Sequence, residues 1–201
     1  MELWIASAKT SDMDQVAWAP LAGIITNPSV LLQAGSDWQS IGLEHREILE
    51  EIQEYTHLLA PKQLIPKIPM TSGGIAAARD LVARGYIVNV TAACTLPQVE
   101  MALNAGATYV SMYVARINDA SSNQTAGYQL VEWTRDYIDR NGLEAKIMAA
   151  SVRNIEQYGE VIRRGAHAVA APPQLIKEVV FDELTDTSLK AFAQEWKNAL
   201  S

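Results

Sequence analysis

The chain has 201 residues, of which 49% are hydrophobic and 19% charged, an ordinary composition for one globular domain with a sizeable core. Its formal net charge of −7 provides no electrostatic footprint for nucleic acid and disfavours anionic membranes, although a small basic pocket could still bind an anionic substrate. Cys94 is the only cysteine, which excludes a disulfide within the chain and makes a cytoplasmic location the expectation. No apolar run approaches the length of a membrane span, and the first residues lack the pattern of a signal peptide.

Short apolar runs alternate with amphipathic segments along the chain. The runs are predicted to be strands at 2–6, 23–26, 64–68, 86–90, 109–114, 146–150 and 168–171. Helical periodicity predicts helices at 43–59, 75–84, 96–105, 127–141 and 154–164. Gly85, Gly106 and Gly165 follow helical segments and fit the left-handed residue that closes a helix. Strands that alternate with helices are typical of a parallel α/β protein.

Polar or small residues end most of the predicted strands. The carboxyl ends of parallel strands carry the active face of a (β/α)₈ barrel, and they also line the crevice of a doubly wound sheet. A barrel is favoured because no G-x-G-x-x-G loop follows the first strand and because polar ends occur on nearly every strand. The residues at these ends are Ser7, Asn27, Lys67, Asn89, Thr91, Ser111, Tyr113 and Ser151.

The fold class predicted is therefore a (β/α)₈ TIM-type barrel, but only seven strand-like runs are present. The third strand is the one not found, because helical periodicity continues without interruption over 43–59. Either the barrel closes with seven strands or the chain lacks one βα unit there. A C-terminal amphipathic helix at 186–201 completes a single domain spanning 1–201, and we expect it to pack on the barrel or on a neighbouring subunit.

The stretch "LIPKIPMT" places Lys67 in an apolar run between two prolines. Most lysines are exposed, so pairing with a carboxylate or extension to the rim is the ordinary explanation for any one of them. A desolvated amine, however, has a lowered pKa, and its neutral form can attack a ketone to form a Schiff base. Prolines within a strand pattern are costly to the sheet and call for a local reason.

The segments "LAGIITNPSV", "LIPKIPMTSGGIAAARDL", "NVTAACTLPQVEMALNAGATYVSMYVARI" and "KIMAASVRN" resemble the bacterial fructose-6-phosphate aldolase and small transaldolase family. The resemblance extends from Glu2 to the C-terminal helix. It implies a class I aldolase-type barrel that needs neither metal nor cofactor, with Lys67 as the Schiff-base lysine. Its substrates would be a sugar phosphate or a dihydroxyacetone-type molecule, and the chain would form a pentamer or decamer held partly by exchanged C-terminal helices.

The resemblance also assigns roles around the donor site. Asn27 matches the asparagine that holds a donor hydroxyl near the Schiff base. Asn89 and Thr91 match the pair that binds the donor and orients the lysine, and Ser111 matches a donor-site serine. Tyr113 matches the aldolase tyrosine, a candidate for proton transfer through water. Taken singly, Asn27 also fits turn chemistry before a proline, Thr91 an ordinary strand position and Tyr113 a core tyrosine.

Three further residues match the groups that hold the substrate phosphate, namely Arg116, Ser151 and Arg153. Guanidinium forks suit the oxygens of a phosphate. Ser151 alone would also fit a helix cap and Arg116 a charge at the rim.

Three departures from the family pattern concern proton transfer. Ala6 stands where the family has an aspartate beside the lysine, and a methyl group cannot transfer a proton. Ile25 replaces a threonine that helps to hold the catalytic water. The third strand, which brings a glutamine or glutamate to the same water in the family, is the one not found here.

Three functions remain open at the level of sequence. The first is an active aldolase or transaldolase acting on a ketose phosphate through Lys67. The second is a degenerate relative that binds sugar phosphates or scaffolds an assembly, as Ala6 and Ile25 would suggest. The third is a general α/β phosphate-binding domain without a Schiff base.

Overall fold

The computed structural model describes residues 1–25, 44–56 and 64–200. The strands of this part of the chain are β1 (Glu2–Ala6), β2 (Leu21–Ile25), β3 (Lys67–Pro69), β4 (Asn89–Ala93), β5 (Tyr109–Tyr113), β6 (Lys146–Ala150) and β7 (Ala168–Ala171). The helices are α1 (Thr10–Asp14), α2 (His45–Thr56), α3 (Ser72–Ala83), α4 (Leu96–Asn104), α5 (Val114–Ala120), α6 (Ala126–Asn141), α7 (Ile155–Arg163), α8 (Pro173–Val179) and α9 (Glu183–Ala199).

The seven described strands form one parallel sheet in the order β2-β1-β7-β6-β5-β4-β3. The strands β1 and β7 are neighbours, as the first and last strands of a barrel would be. The sheet curls into a half-barrel whose edges are β2 and β3, and none of the described strands connects these edges. The predicted closure with eight strands is thus not present in the described residues, whereas a TIM-type barrel lacking one unit is compatible with them.

The two faces of the sheet follow the two-residue period of the strands. One face is covered by the helices and forms the main apolar core. The strand residues there are almost fully buried: Ile5, Ile68, Val90, Val110, Met112, Ile147 and Val169. The helices contribute Ala77, Leu81, Val99, Val131 and Val161 to the same core. The alternate residues of each strand face the concave side, where Lys67 lies.

The amino-terminal end of the concave face is filled by a hydrogen-bonded cluster around Glu2. Trp4 Nε1 and the Tyr109 hydroxyl donate to the Glu2 carboxylate at 3.1 and 2.9 Å, and Lys146 forms an ion pair with it. The Trp4 and Tyr109 rings meet edge to face with centroids 5.9 Å apart. Burial raises the pKa of Glu2, but the hydrogen bonds from Lys146, Trp4 and Tyr109 outweigh it and the pKa is lowered overall. This end of the sheet is therefore occupied by a satisfied structural cluster.

The strands β3 and β4 begin three residues later than the apolar pattern predicts, at 67 and 89 instead of 64 and 86. Tyr86 donates its backbone N–H to the carbonyl of Leu81 and so completes the end of α3. Pro66 has no N–H and contributes only its carbonyl, which accepts from the Asn89 N–H at 2.9 Å. The apolar pattern of the sequence indicates which side chains are buried. The first and last residues of a strand depend instead on the ladder of backbone hydrogen bonds.

The predicted helix-closing glycines are confirmed. Gly85, Gly106 and Gly165 have φ angles of 85°, 85° and 88°, in the left-handed region that glycine adopts without steric cost. Each lies one residue beyond the C-cap position that ends its helix and allows the chain to turn back into the next strand.

The C-terminal helix α9 begins earlier than predicted, after Asp182, whose Oδ1 accepts from the Thr185 N–H at 2.9 Å. None of its residues is buried. The predicted apolar stripe is present but open to solvent, with Leu189, Phe192 and Trp196 between 60% and 68% exposed. The helix therefore does not pack its apolar side against the described half-barrel. None of the described helices combines the length and apolar character needed to span a membrane.

A close backbone contact links β3 to α3 and yields a stability prediction. A Cβ added at Gly74 would lie 2.0 Å from the carbonyl oxygen of Pro69. We expect Gly74→Ala to force α3 away from β3 and to lower the free energy of unfolding by about 1–3 kcal/mol. Urea denaturation followed by circular dichroism measures this change.

Gly159 in α7 provides a matched control, because a Cβ there would meet no atom within 4 Å. Gly159→Ala should raise the free energy of unfolding by about 0.5–1 kcal/mol, since alanine favours a helix interior over glycine. Equal effects of the two substitutions would contradict the tight contact between α3 and β3.

Candidate active site

Lys67 begins β3 and faces the concave side of the half-barrel. The parallel register pairs it with Asn89 on β4. Its side chain is half-buried, and burial lowers the pKa of Lys67 from 10.5 to about 8. At pH 7 about a tenth of such amines are neutral and can attack a carbonyl carbon.

Asn89 is held by a hydrogen bond that spans two strands. The Ser111 hydroxyl on β5 donates to Asn89 Oδ1 at 2.8 Å, and both residues are buried. The Asn89 amide nitrogen lies 3.7 Å from the sulfur of Met148 on β6, a weak acceptor. The carboxamide beside Lys67 is thus fixed from the side of β5 and β6, and its orientation does not depend on a ligand.

Thr91 lies two residues after Asn89 and pairs with Ser111 in the register. Its Oγ1 atom is buried, and the described part of the chain offers that atom no hydrogen-bond partner. An orphaned buried hydroxyl is costly, so it calls for a reason such as a ligand. The register shifts just after Thr91 at a bulge, where Ala92 has a φ of 66°. Bulges and strained residues of this kind are common beside active sites.

Tyr113 ends β5 at the carboxyl edge of the sheet, and its side chain is half-buried. The guanidinium carbon of Arg116, one turn into α5, lies 4.8 Å from the centre of the Tyr113 ring. This cation–π contact holds the exposed Arg116 over the tyrosine.

Ser151 and Arg153 follow β6 at the same edge. Ser151 has a φ of 60°, a second strained non-glycine residue at a strand end. The backbone N–H of Arg153 donates to Gln157 Oε1 at 2.9 Å, which ties this turn to α7. The guanidinium of Arg153 forms an ion pair with Asp119 at 2.7 Å. Because Asp119 lies three residues after Arg116 on α5, both arginines border the same helix.

The first two strands present an apolar corner to this edge. Ala6 and Ile25, which stand where the resembling family has an aspartate and a threonine, are paired with each other in the register. The next residue, Ser7, is buried and donates to the carboxylate of Asp12 on α1 at 2.6 Å. Asn27 lies outside the described residues.

The half-barrel thus brings Lys67, Asn89, Thr91 and Ser111, which the sequence predicts to form the donor site, together on β3, β4 and β5, and it places Arg116, Ser151 and Arg153 along the same edge. Sequence reasoning missed two contacts here, the Ser7–Asp12 hydrogen bond and the Arg153–Asp119 ion pair. The second of these joins residues far apart in sequence, for which no local pattern exists. Chemically, the edge combines a nucleophilic amine, neutral hydrogen-bonding groups and two guanidiniums.

Removal of the buried Ser111 hydroxyl and removal of the buried Thr91 hydroxyl should have different effects on the free energy of unfolding. Ser111→Ala leaves Asn89 Oδ1 buried without its donor and should cost about 1–3 kcal/mol in unfolding free energy. Thr91→Val removes a hydroxyl that lacks a partner, so it should be neutral or stabilising by about 1 kcal/mol. Urea denaturation of the ligand-free proteins compares the two. A loss in Thr91→Val as large as in Ser111→Ala would contradict a Thr91 hydroxyl kept for a ligand.

The lowered pKa of Lys67 predicts a pH profile for its reactivity. Labelling by acetic anhydride should increase with pH and reach half its maximal rate near pH 8, because only the neutral amine reacts. Peptide mass spectrometry resolves this site from the other lysines. In the urea-unfolded protein the same lysine should titrate near the ordinary value of about 10.4. Identical profiles in the folded and unfolded protein would contradict the desolvation of Lys67.

Comparisons with known proteins find a matching family and similar relatives over most of the chain. The family described as Transaldolase/Fructose-6-phosphate aldolase matches residues 44–201. The chain is 32% identical over 217 residues to a probable transaldolase of Symbiobacterium thermophilum, covering 99% of this chain and 98% of the relative. A probable transaldolase of Clostridioides difficile is 33% identical over 196 residues, covering 89% and 88% of the two chains.

Among solved structures, a cube-shaped, highly porous protein cage designed by fusing symmetric oligomeric domains is similar in fold. Its TM-score is 0.55 at 14% identity, and the match covers 100% of this chain and 78% of that one. The alignment with the Symbiobacterium protein extends over 217 positions against 201 residues here, so that relative carries residues that this chain lacks. The chain belongs to the transaldolase/fructose-6-phosphate aldolase family.

Proposed function

We propose that the protein is a class I aldolase or transaldolase that forms a Schiff base through Lys67 with a ketose or its phosphate. It then releases a dihydroxyacetone unit or transfers it to an aldehyde. The observation that carries this proposal is the half-buried Lys67, whose pKa of about 8 makes the neutral amine available near physiological pH. Neither a metal ion nor a cofactor is required in this scheme, because the iminium itself accepts the electrons.

The chemical steps follow from the chemistry of a neutral amine and a ketone. The Lys67 Nζ attacks the ketone carbon, and loss of water from the resulting carbinolamine gives a protonated imine. A base removes the proton of the hydroxyl on the carbon at the far end of the bond that breaks. That carbon becomes an aldehyde, while the electrons of the C–C bond move to the imine nitrogen and leave an enamine. For release, the enamine carbon gains a proton and water hydrolyses the imine. For transfer, the enamine carbon attacks a second aldehyde, whose oxygen takes a proton, and water then hydrolyses the new imine and frees Lys67.

The residues around Lys67 suit the binding of a polyhydroxylated donor. We assign donor hydroxyls to Asn27, Asn89, Thr91 and Ser111. The orphaned Oγ1 of Thr91 supports this assignment, since a ligand hydroxyl would satisfy it. Tyr113 at the end of β5 is proposed to relay protons, through water, between the substrate hydroxyl and solvent.

The phosphate of the substrate is assigned to Arg116, Ser151 and Arg153. Two guanidiniums and a hydroxyl can surround a phosphate with charge-assisted hydrogen bonds. Their position along one edge supports this assignment, since Arg116 lies on α5 and Arg153 contacts Asp119 of the same helix. The net charge of −7 is compatible with phosphate binding at this edge, because the attraction of an anion depends on the local distribution of charge.

The apolar corner of Ala6 and Ile25 favours a second function, that of a relative with weak or no catalysis that binds sugar phosphates or scaffolds an assembly. Loss of a proton-transfer group typically lowers the rate about 10²–10⁴-fold. We propose that the third strand of the family barrel is the unit missing between β2 and β3, which would remove a further water-orienting group. The longer alignment with the Symbiobacterium relative supports such a deletion.

We further propose a cytoplasmic homo-oligomer, a pentamer or decamer, built from one domain that comprises residues 1–201. The support is the apolar stripe on α9, whose Phe192 and Trp196 are 62% and 68% exposed. Contiguous exposed apolar residues often mark a protein interface, and a second copy of the chain would cover this stripe.

Incubation with fructose 6-phosphate tests the two functions against each other. An active enzyme releases glyceraldehyde 3-phosphate, either in water alone or only when an acceptor aldehyde is added, and the second case identifies a transaldolase. We expect Lys67→Met to reduce the rate to the background of the assay, because no amine remains to form the Schiff base.

Lys190→Met is the matched control, since it makes the same chemical change at an exposed lysine paired with Asp186 on α9. It should keep the rate of the unmodified protein. Absence of any cleavage by the unmodified protein, with fructose 6-phosphate still bound, would support the non-catalytic relative. Cleavage that survives Lys67→Met would contradict the Schiff base.

A further inference from the structure

The ion pair between Arg153 and Asp119 lies within the proposed phosphate site. Its atoms are 2.7 Å apart, and the two side chains are 50% and 59% exposed. One partner follows β6 and the other lies near the end of α5, so the contact bridges two elements of the carboxyl edge. In this arrangement the Asp119 carboxylate is paired with the Arg153 guanidinium, with which a substrate phosphate would also have to pair.

The backbone around the ion pair is fixed, so only side chains have to rearrange when an anion binds. The Arg153 N–H is held by Gln157 Oε1 at 2.9 Å, and Asn154 caps α7 through the Gln157 N–H at 2.8 Å. Asp119 also lines a polar cavity of about 430 Å³ together with Ser121 and Tyr128. A displaced carboxylate could turn into this cavity and remain hydrated.

The energies of the two interactions allow a phosphate to compete with the Asp119 carboxylate for Arg153. An exposed ion pair contributes only about 0–1 kcal/mol, whereas a phosphate dianion offers a guanidinium two charge-assisted hydrogen bonds. Phosphate can therefore displace the carboxylate. The energy lost when the ion pair breaks is part of the cost of binding phosphate, and it reduces the net affinity for phosphate.

We infer that Asp119 is a specificity-determining residue that acts through Arg153. Its carboxylate competes with the substrate phosphate for that guanidinium and so reduces the preference for phosphorylated over unphosphorylated ketoses. This inference rests on the proposed function, because it takes Arg153 as part of the phosphate site. Asp119 touches no reacting atom in this scheme and is a positioning residue.

Calorimetric binding of inorganic phosphate and of fructose 6-phosphate tests the inference. Asp119→Asn keeps the shape and removes the charge, so it should lower both dissociation constants about two- to fivefold, equivalent to about 0.4–1 kcal/mol. The gain should shrink in 0.5 M salt, because the side chains are exposed and the competition is electrostatic. Asp119→Glu keeps the carboxylate and should bind both ligands as the unmodified protein does.

Two further variants distinguish an effect that acts through Arg153 from a general effect of removing one negative charge. Asp136→Asn removes an equally exposed partner of Arg140 on α6, and phosphate binding should not change. In the Arg153→Gln background, Asp119→Asn should no longer tighten binding, as expected for two residues that act on each other. A gain that persists in that background, or Asp119→Asn binding that is unchanged or weaker, would overturn the inference.

Failure of the proposed function would appear in a different measurement. If the unmodified protein binds fructose 6-phosphate but never cleaves it, the Schiff-base proposal fails while the Asp119 inference stands on the binding constants. If no variant binds phosphate, the Asp119 inference is overturned whatever the catalytic assay gives.

Discussion

The register between β3 and β4 is the constraint on which the site depends, because it sets Lys67 opposite Asn89 on the concave face. A slip of one residue would turn Lys67 toward the helices and bring Ile68 onto the concave side. Asn89 is in turn fixed by the buried Ser111 hydroxyl, which lies on the next strand. The contact of Gly74 with Pro69 anchors the other end of the short strand to α3. Three strands and one helix thus determine where a single amine lies.

Burial of the Lys67 amine lowers the stability of the folded state, and the rest of the fold offsets this loss. The lowered pKa of Lys67 means that the folded state releases its proton more readily than the unfolded chain. Folding stability from this residue therefore rises with pH between about 8 and 10.5, and at neutral pH the desolvated amine opposes folding. Ala92 and Ser151 add backbone strain at neighbouring strand ends. The continuous apolar core beneath the helices supplies the stability that allows these local costs.

Much of the architecture was predictable because the hydrophobic pattern of strands and helices repeats every two or every three to four residues, so a local stretch of sequence reveals it. The alternation of buried runs and glycine-closed helices predicted all seven described strands, and Gly85 and Gly165 adopt the expected conformation. The helices α1, α5 and α8 were not predicted, since one or two turns are too short to display a helical period.

Features of the site that depend on distant residues could not be predicted in the same way. The hydrogen bond from Ser111 to Asn89 exists only once the strands are in register. The pKa of Lys67 depends on how deeply the folded chain buries it. The residue types at the strand ends were visible in the sequence, whereas the Ser7–Asp12 and Arg153–Asp119 contacts were not.

The proposed function depends on a Schiff base between the amine of Lys67 and a ketone. The most direct measurement is intact-mass spectrometry and peptide mapping after incubation with dihydroxyacetone and sodium borohydride, which reduces the imine to a stable amine. We predict one adduct per chain, located on Lys67. An unmodified chain, or an adduct on a different lysine while Lys67 remains unmodified, would contradict the account.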